Sequence, residues 1–269
     1  RDHAISADAG RKSALRILRN LEQFEDYSKD KDIPAKDATT HLSAHIKFGT
    51  CSLREIYHAI KGTREDHPLL RQLYWHDFFT YVAHHFPHVF GSPFRSKYKE
   101  LEWDKGAQAE KRFRSWCKGN TGFPIVDAGM RQLNTSGFMH NRVRMIVASF
   151  LIKDLHIDWR QGERYFAKRL MDYDPAVNNG NWQWAASTGC DAQPYFRIFN
   201  PWRQQKRFDP ECIYIKEWVP ELQELDPAHI HQWSTECKEY WHKKVAYPAP
   251  IVCHDEERDE AKARYASVQ

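Results

Sequence analysis

The 269-residue sequence has no long apolar run, no linker-like segment and no closely spaced cysteines. No stretch of 18 apolar residues occurs, which excludes a membrane-spanning helix. The 12 glycines and 13 prolines are scattered, so we expect residues 1–269 to form one continuous domain. The six cysteines follow no CxxC spacing. They predict reduced thiols in an intracellular protein, without a metal site or a disulfide scaffold.

The chain also lacks an initiating methionine and an apolar leader. It opens with the polar segment RDHAISADAGRK, which has no signal-peptide core. We therefore expect it to be the C-terminal part of a longer protein. The net charge of +4, from 40 basic and 36 acidic residues, is too small to indicate a nucleic-acid partner by itself.

Aromatic residues are abundant instead, at 14% of the chain with ten tryptophans. Between Gly119 and Asn200 they are mixed with asparagine, arginine and aspartate. An ordinary helical core does not need these polar groups, because an unpaired buried polar group costs roughly 1–3 kcal/mol. The mixture therefore predicts a site for a large planar ligand.

The spacing of apolar residues predicts amphipathic helices at 10–27, 67–91 and 141–155. Ser52, followed three residues later by Glu55, forms a capping-box pattern and predicts a further helix start. Two polar segments have both a structural and a ligand-binding interpretation. Residues 39–43 either cap a helix or contact an anion at its start. Gln72 and Trp75 either offer an amide and an aromatic wall to a heterocycle, or are a solvated Gln and a core Trp.

Charged residues add two further candidate sites. Arg144 lies at the N-terminal end of its helix, where the helix dipole disfavours a cation, so it needs an anionic partner. Asp172 and Asp174 are compatible with a metal pair, an acid/base pair or hydroxyl acceptors, and helix capping explains only one of them. A basic loop with interleaved aromatics is typical either of a phosphate-backbone contact or of a solvated surface. Its cations are Arg197, Arg203, Lys206 and Arg207.

Four segments in this order resemble one known family: TGFPIVDAGMRQL, MHNRVRM, NNGNWQWAASTGCDAQPYFRIFNP and KRFDPECIYIKEWVPEL. They are similar to the FAD-binding catalytic domain of the photolyase and cryptochrome family. The run WQWAASTG followed by PYFRIFNP looks most like the microbial class I cyclobutane pyrimidine dimer photolyases. This resemblance implies an all-α, multi-helix domain without the family's N-terminal α/β antenna domain.

The same resemblance implies FAD as the cofactor, no metal, and DNA containing pyrimidine dimers as the partner. The implied activity is that of a deoxyribodipyrimidine photolyase, which repairs these dimers in light by electron transfer from reduced FAD to the flipped-out lesion. A cryptochrome-like blue-light photoreceptor and repair of (6-4) photoproducts are the alternatives. We expect a monomer, in the cytoplasm beside the nucleoid or in a eukaryotic nucleus.

The resemblance also assigns site residues. FAD contacts fall on Tyr27, Thr39, Thr40, Leu42, Ser43, Trp75, His76, Asn141, Arg144, Asp172, Asp174 and Asn178. Lesion or DNA contacts fall on Gln72, Trp75, Arg142, Met145, Trp184, Arg197, Arg203 and Lys206. The tryptophan chain that photoreduces the flavin matches Trp182, Trp159 and Trp103, with Trp103 as the outer member near the surface.

Three positions bear on the choice of activity, and a fourth bears on cofactor retention. Asn178 matches the position facing flavin N5, where photolyases carry Asn, and with Met145 it favours dimer repair. Gln72 stands where microbial dimer photolyases usually have Glu, and a neutral amide cannot supply the same proton or charge to the dimer. His76 stands where an Arg usually helps to hold the flavin, so we expect weaker cofactor retention.

Overall fold

The computed structural model describes residues 8–236 and 245–268. These residues form helices joined by turns and loops, with no strand among them, which confirms the predicted all-α class. None of these helices is both long and apolar enough to span a bilayer. The α-helices are α1 (Arg11–Arg19), α2 (Tyr27–Asp30), α3 (Leu42–Lys47), α4 (Leu53–Thr63), α5 (Leu70–His85), α6 (Ala107–Lys118), α7 (Pro124–Ser136), α8 (Asn141–Lys153), α9 (Trp159–Arg169), α10 (Pro175–Ala185), α11 (Pro201–Phe208), α12 (Ile213–Trp218), α13 (Pro227–His231), α14 (Trp233–Glu236) and α15 (His254–Ala266).

Helix α8 lies at the centre of the main hydrophobic core. Val143, Val147 and Phe150 are fully buried, and the helix is apolar on most of its circumference. Helices α7, α9 and α10 pack against it. The packed helix therefore holds its N-terminal turn in place, and this turn carries polar residues predicted to bind a ligand.

Two glycines let neighbouring helices approach α10 closely. A Cβ added at Gly162 on α9 would lie 2.2 Å from Cη2 of Trp182 on α10. A Cβ at Gly180 on α10 would lie 2.1 Å from Cδ1 of Phe79 on α5. Both distances are far below van der Waals contact, so only glycine fits at these positions. The NNGNWQW segment is thereby held between α9 and α5.

A smaller core joins α1, α3 and α4 and includes Leu42, Ile56 and Ile60. The predicted capping box at the start of α4 is confirmed. The Ser52 hydroxyl accepts a hydrogen bond from Glu55 N at 3.2 Å, and Ser52 N donates to Glu55 Oε2 at 3.0 Å. The cap fixes the start of α4 and holds this second core in place.

The helix predicted at 141–155 ends two residues earlier, at Lys153, and the other two predicted helices differ more from the structure. The helix predicted at 10–27 is wrong as a single element, because α1 ends at Arg19 and a 3₁₀ turn, Leu21–Phe24, precedes α2. Asn20 interrupts it by donating from its side chain to the Arg16 carbonyl at 3.0 Å, which competes with helix continuation. The helix predicted at 67–91 ends at His85, because Pro87 has no backbone N–H to continue it.

Candidate cofactor cavity

A cavity of about 480 Å³ opens between the small core and the ends of α5, α8 and α10. Its size lies within the range of small-molecule sites. The structure brings most of the predicted cofactor and lesion residues to its wall: Tyr27, Thr39, Thr40, Leu42, Ser43, Gln72, Trp75, His76, Asn141, Arg144, Met145, Asp172, Asp174 and Trp184.

The predicted need of Arg144 for an anion is met by Asp172. Arg144 Nη2 donates to Asp172 Oδ2 at 2.9 Å, and Arg144 Nε donates to the Met139 carbonyl at 2.7 Å. Burial alone would raise the pKa of Asp172, but the charge and hydrogen bond of Arg144, with a smaller effect of the nearby Ser43 hydroxyl, hold this pKa below its usual value. The second oxygen, Asp172 Oδ1, is buried and has no hydrogen-bond partner among the described residues. It is therefore an acceptor ready for a ligand N–H or O–H.

Asp174 has a different task. Its Oδ1 accepts a hydrogen bond from Val177 N at 2.9 Å and caps α10. Its Oδ2 lies 4.0 Å from His76 Nε2, at the cavity wall. The buried Nδ1 of His76 makes no hydrogen bond within the described part of the chain. Capping thus explains one member of the acidic pair, as the sequence indicates, and leaves Asp172 for ligand binding.

Hydroxyl groups lie at the start of α3, and a cation, Lys47, lies at its end. The Thr40 hydroxyl accepts a long hydrogen bond from Leu42 N at 3.4 Å, and His41, the N-cap residue of α3, makes no side-chain capping hydrogen bond. The same segment lines the cavity together with Lys47. The Tyr27 hydroxyl stays neutral, because burial and the nearby Asp32 raise the pKa of this phenol to about 12. Helix capping is therefore a weak explanation of residues 39–43, and their place in the cavity wall favours contact with a ligand.

Asn178 lines a smaller cavity of about 110 Å³ that shares Arg144, Asp172 and Asp174 with the larger one. Asn178 Nδ2 donates to Glu163 Oε1 at 2.9 Å and makes a longer contact of 3.3 Å with the Glu163 carbonyl. Glu163 fixes the direction of the Asn178 amide, and no sequence pattern links the two residues.

The exposure of the three predicted chain tryptophans is lowest at Trp182 and Trp159 and highest at Trp103, the predicted outer member. Trp182 and Trp159 are each 2% exposed, whereas Trp103 is half-buried. The rings nearest to Trp182 are Phe166 at 5.0 Å and Trp116 at 6.2 Å between centroids. Trp116 is fully buried and was missed, because its helix reads as polar. The electron-transfer roles of these residues stay predictions.

Residues predicted to contact DNA fall into two groups. Arg197 is exposed on the loop before α11, and Arg203 and Lys206 are exposed on α11 itself. Arg142 lines neither of the two cavities. Its guanidinium instead pairs with Asp32, so its assignment to the lesion cavity stays a prediction.

The residues present fit FAD. The cavity lining combines apolar side chains from Leu73, Phe79 and Trp75 with hydroxyl groups and cations. The unpaired Asp172 Oδ1 supplies the kind of acceptor that a flavin N–H or a sugar hydroxyl requires.

Comparison with known proteins agrees with this site. Residues 69–267 match the family described as the FAD binding domain of DNA photolyase. The chain is 47% identical over 252 residues to a deoxyribodipyrimidine photo-lyase of Vibrio cholerae, covering 88% of this chain and 51% of that protein. Its fold is similar to a class III photolyase from Agrobacterium tumefaciens, with a TM-score of 0.91 and 41% identity over 98% of this chain and 57% of that one. A Synechocystis cryptochrome gives a TM-score of 0.87 and 33% identity over 97% of this chain and 56% of that one.

The chain therefore belongs to the FAD-binding domain family of DNA photolyases, and FAD is its cofactor. This confirms the predicted family and the predicted cofactor. The chain spans about half the length of the curated relatives that it matches. Assignment to class I stays a prediction, since the similar Agrobacterium structure is a class III photolyase.

Proposed function

We propose that this chain carries the catalytic site of a deoxyribodipyrimidine photolyase, which splits cyclobutane pyrimidine dimers in DNA with light. One observation supports it above all. Residues suited to hold FAD, such as Asp172 and Arg144, share one cavity with Gln72, Trp75 and Trp184, which suit a flipped pyrimidine pair. A dimer entering this cavity would lie directly beside the cofactor.

The chain's own residues bind and orient the cofactor and the lesion, and they exclude water from the cavity. Reduced FAD, when bound, would supply in light the electron that opens the dimer and would take it back after the ring opens, so that the reaction has no net redox change. Asp172 would accept a hydrogen bond from the cofactor. Arg144 holds the Asp172 carboxylate in place by donating from Nη2 to Oδ2 at 2.9 Å. Trp75, which is 39% exposed and stacked on Phe79, offers an apolar face at the mouth. A lesion must leave the helix stack to reach such a cavity, and a damaged pair costs less to extrude than a normal one.

The DNA backbone would follow the basic side of α11. Arg203 and Lys206 are exposed there, and Arg197 is exposed on the loop before α11. Such cations bind phosphates independently of sequence and make affinity depend on salt. They support a DNA substrate, although the net charge of the chain is small.

Two other activities share this cavity. Gln72 presents a neutral amide to the cavity, and a Synechocystis cryptochrome has a similar fold. A neutral group at this position favours repair of (6-4) photoproducts or a photoreceptor role over dimer repair. We rank both below dimer repair because Met145 and Asn178 favour the dimer.

The test uses the chain loaded with FAD and reduced chemically without oxygen. Oligonucleotides with one cyclobutane dimer, one (6-4) photoproduct or no lesion are illuminated with it, and parallel samples stay dark. Recovery of thymine absorbance with the cyclobutane dimer, in light alone, is the expected result. Recovery with the (6-4) photoproduct alone would support that alternative. No recovery from any lesion while FAD stays bound would contradict repair altogether.

A further inference from the structure

The carboxylate of Asp32 joins two cations beside the cavity. Asp32 Oδ2 accepts from Lys31 Nζ at 2.8 Å. Asp32 Oδ1 accepts from Arg142 Nη2 at 2.9 Å and Nε at 3.2 Å. Each oxygen therefore serves a different cation, and the group of three keeps one net positive charge. We call Lys31, Asp32 and Arg142 the Asp32 bridge.

The Asp32 bridge is partly buried, unlike a freely exposed pair. The side chain of Arg142 is 17% exposed, and that of Asp32 is 28% exposed. By contrast, Asp26 and Lys29 on the neighbouring turn form a pair that is 66% and 78% exposed. Burial alone would raise the pKa of Asp32, but hydrogen bonds from Lys31 and Arg142 hold it below its usual value. Exposed pairs contribute little because solvent screens them, whereas this one has a defined geometry.

The bridge lies between the cavity wall and the basic helix. Lys31 N donates a hydrogen bond to the carbonyl of Tyr27 at 2.9 Å, and Tyr27 lines the cavity. On the other side, the Arg142 guanidinium stacks over the Phe208 ring at 4.4 Å. Phe208 ends α11, and Arg207 approaches the same ring at 5.1 Å. A phosphate path along α11 therefore passes the bridge on its way to the cavity.

Both cations have donors left over. A guanidinium has five N–H groups and an ammonium has three. Asp32 takes one N–H from Arg142 Nη2, one from Arg142 Nε and one from Lys31. The remaining donors of the guanidinium are fixed in direction, because the carboxylate of Asp32 and the Phe208 ring hold it on two sides. An oriented guanidinium beside a lysine ammonium held by the same carboxylate is well suited to bind one phosphate group.

We propose that Asp32 is a positioning residue that holds Lys31 and Arg142 as a pair to receive a DNA phosphate beside the lesion cavity. The proposal rests on the proposed function in DNA repair. According to this proposal, Asp32 favours recognition of the lesion by positioning the two cations. As an anion, Asp32 also repels DNA of any sequence. That combination separates it from a simple electrostatic effect.

Removal of an anion and loss of positioning predict different results. Removing one negative charge near the DNA strengthens binding to every duplex, and the slope of log K against log salt becomes steeper by up to about one. Loss of positioning lowers the preference for a lesion-containing duplex, because the phosphates flanking a flipped lesion need donors at fixed places. The ratio of the two affinities therefore reports positioning alone.

The experiment measures binding of the FAD-loaded chain to a duplex with one cyclobutane dimer and to the undamaged duplex, over a range of salt. Asp32→Asn is compared with Asp26→Asn, which removes the same charge from a nearby exposed pair. We expect both variants to bind undamaged DNA more tightly than wild type. Only Asp32→Asn should lose preference for the dimer, by about tenfold. Asp32→Glu, which keeps the charge, should restore part of it.

Several outcomes would overturn the proposal. An unchanged preference in Asp32→Asn, or an equal loss in Asp26→Asn, would leave only the electrostatic effect. If wild type shows no preference for the dimer, the proposed repair function fails, and the bridge fails with it. If Asp32→Asn does not retain FAD, Lys31→Gln, Arg142→Gln and the double variant replace it. If the bridge acts as a unit, the double variant should lose less preference for the dimer than the sum of the losses in the two single variants. Losses that simply add would refute the bridge.

Discussion

Gly162→Ala is the substitution whose effect follows most directly from the packing. Gly162 on α9 faces Leu151 on α8 and Trp182 on α10. An added Cβ would lie 2.2 Å from Trp182 Cη2 and 2.5 Å from Leu151 Cδ2. Both neighbours are buried, so neither can move aside without shifting a helix. We expect α9 to be pushed away from α10, together with the Trp182 ring.

The magnitude follows from two opposing effects. Alanine is favoured over glycine inside a helix by up to about 1 kcal/mol. Overpacking of a dense core costs about 1–3 kcal/mol, and the closest distance, 2.2 Å, indicates the upper part of that range. We therefore expect a net loss of roughly 1–2 kcal/mol in the free energy of unfolding. Urea denaturation followed by circular dichroism measures it as a lower midpoint with an unchanged slope.

Gly62→Ala is the matched control. Gly62 lies on α4, and a Cβ there would meet nothing within 4 Å. We expect this variant to be as stable as wild type or more stable, by up to about 1 kcal/mol. A stable Gly162→Ala, or an equal loss in both variants, would refute the close packing of α9 on α10.

Three further substitutions test the site and its surroundings. Asp172→Asn should weaken FAD binding by about tenfold or more, because it removes the charge that pairs with Arg144; flavin fluorescence titration measures this, and unchanged affinity would contradict the role of the carboxylate. Burial lowers the pKa of His140 to about 4 from 6.5, and its Nδ1 accepts from Arg142 N at 3.2 Å, so protonation there would break the cap of α8. The stability from this neutral ring is complete above pH 6.5 and is lost as the pH falls towards 4, by at most about 3 kcal/mol. His140→Asn keeps a capping group, so its free energy of unfolding should fall less than that of wild type between these two pH values. An equal fall in both proteins on acid titration would contradict the role of the neutral His140 ring. Trp182→Phe should block photoreduction of FAD, seen as a persistent oxidised flavin spectrum, yet leave repair by the chemically reduced protein largely intact; loss of that repair would refute the assignment.

Local features of this fold are predictable from the sequence. The capping box at Ser52 involves groups three residues apart, and Gly137 ends α7 with φ of 69°. Asp174 caps the helix that follows it. Each depends on a few neighbouring residues, so spacing is enough to find it. The break at Asn20 was missed because its side chain competes with a helix that the apolar spacing favours.

The sequence indicates that some residues require a partner of a given charge, but it does not identify a partner that is distant in the chain. Arg144 requires an anion by its place at a helix start, but several acids in the chain could satisfy it. The fold selects Asp172, 28 positions away. Likewise nothing in the spacing joins Asn178 to Glu163, or Arg142 to Asp32, which is 110 positions away. Such pairs are set by how the helices pack, so they became visible only in the structure.

The central claim is that this cavity uses FAD and light to split a pyrimidine dimer. The most direct measurement is recovery of thymine absorbance in a dimer-containing oligonucleotide, comparing the chain loaded with reduced FAD and the same chain stripped of it, in light and in the dark. We predict recovery only with FAD and light together. Equal recovery without FAD, or none with FAD firmly bound under illumination, would contradict the claim.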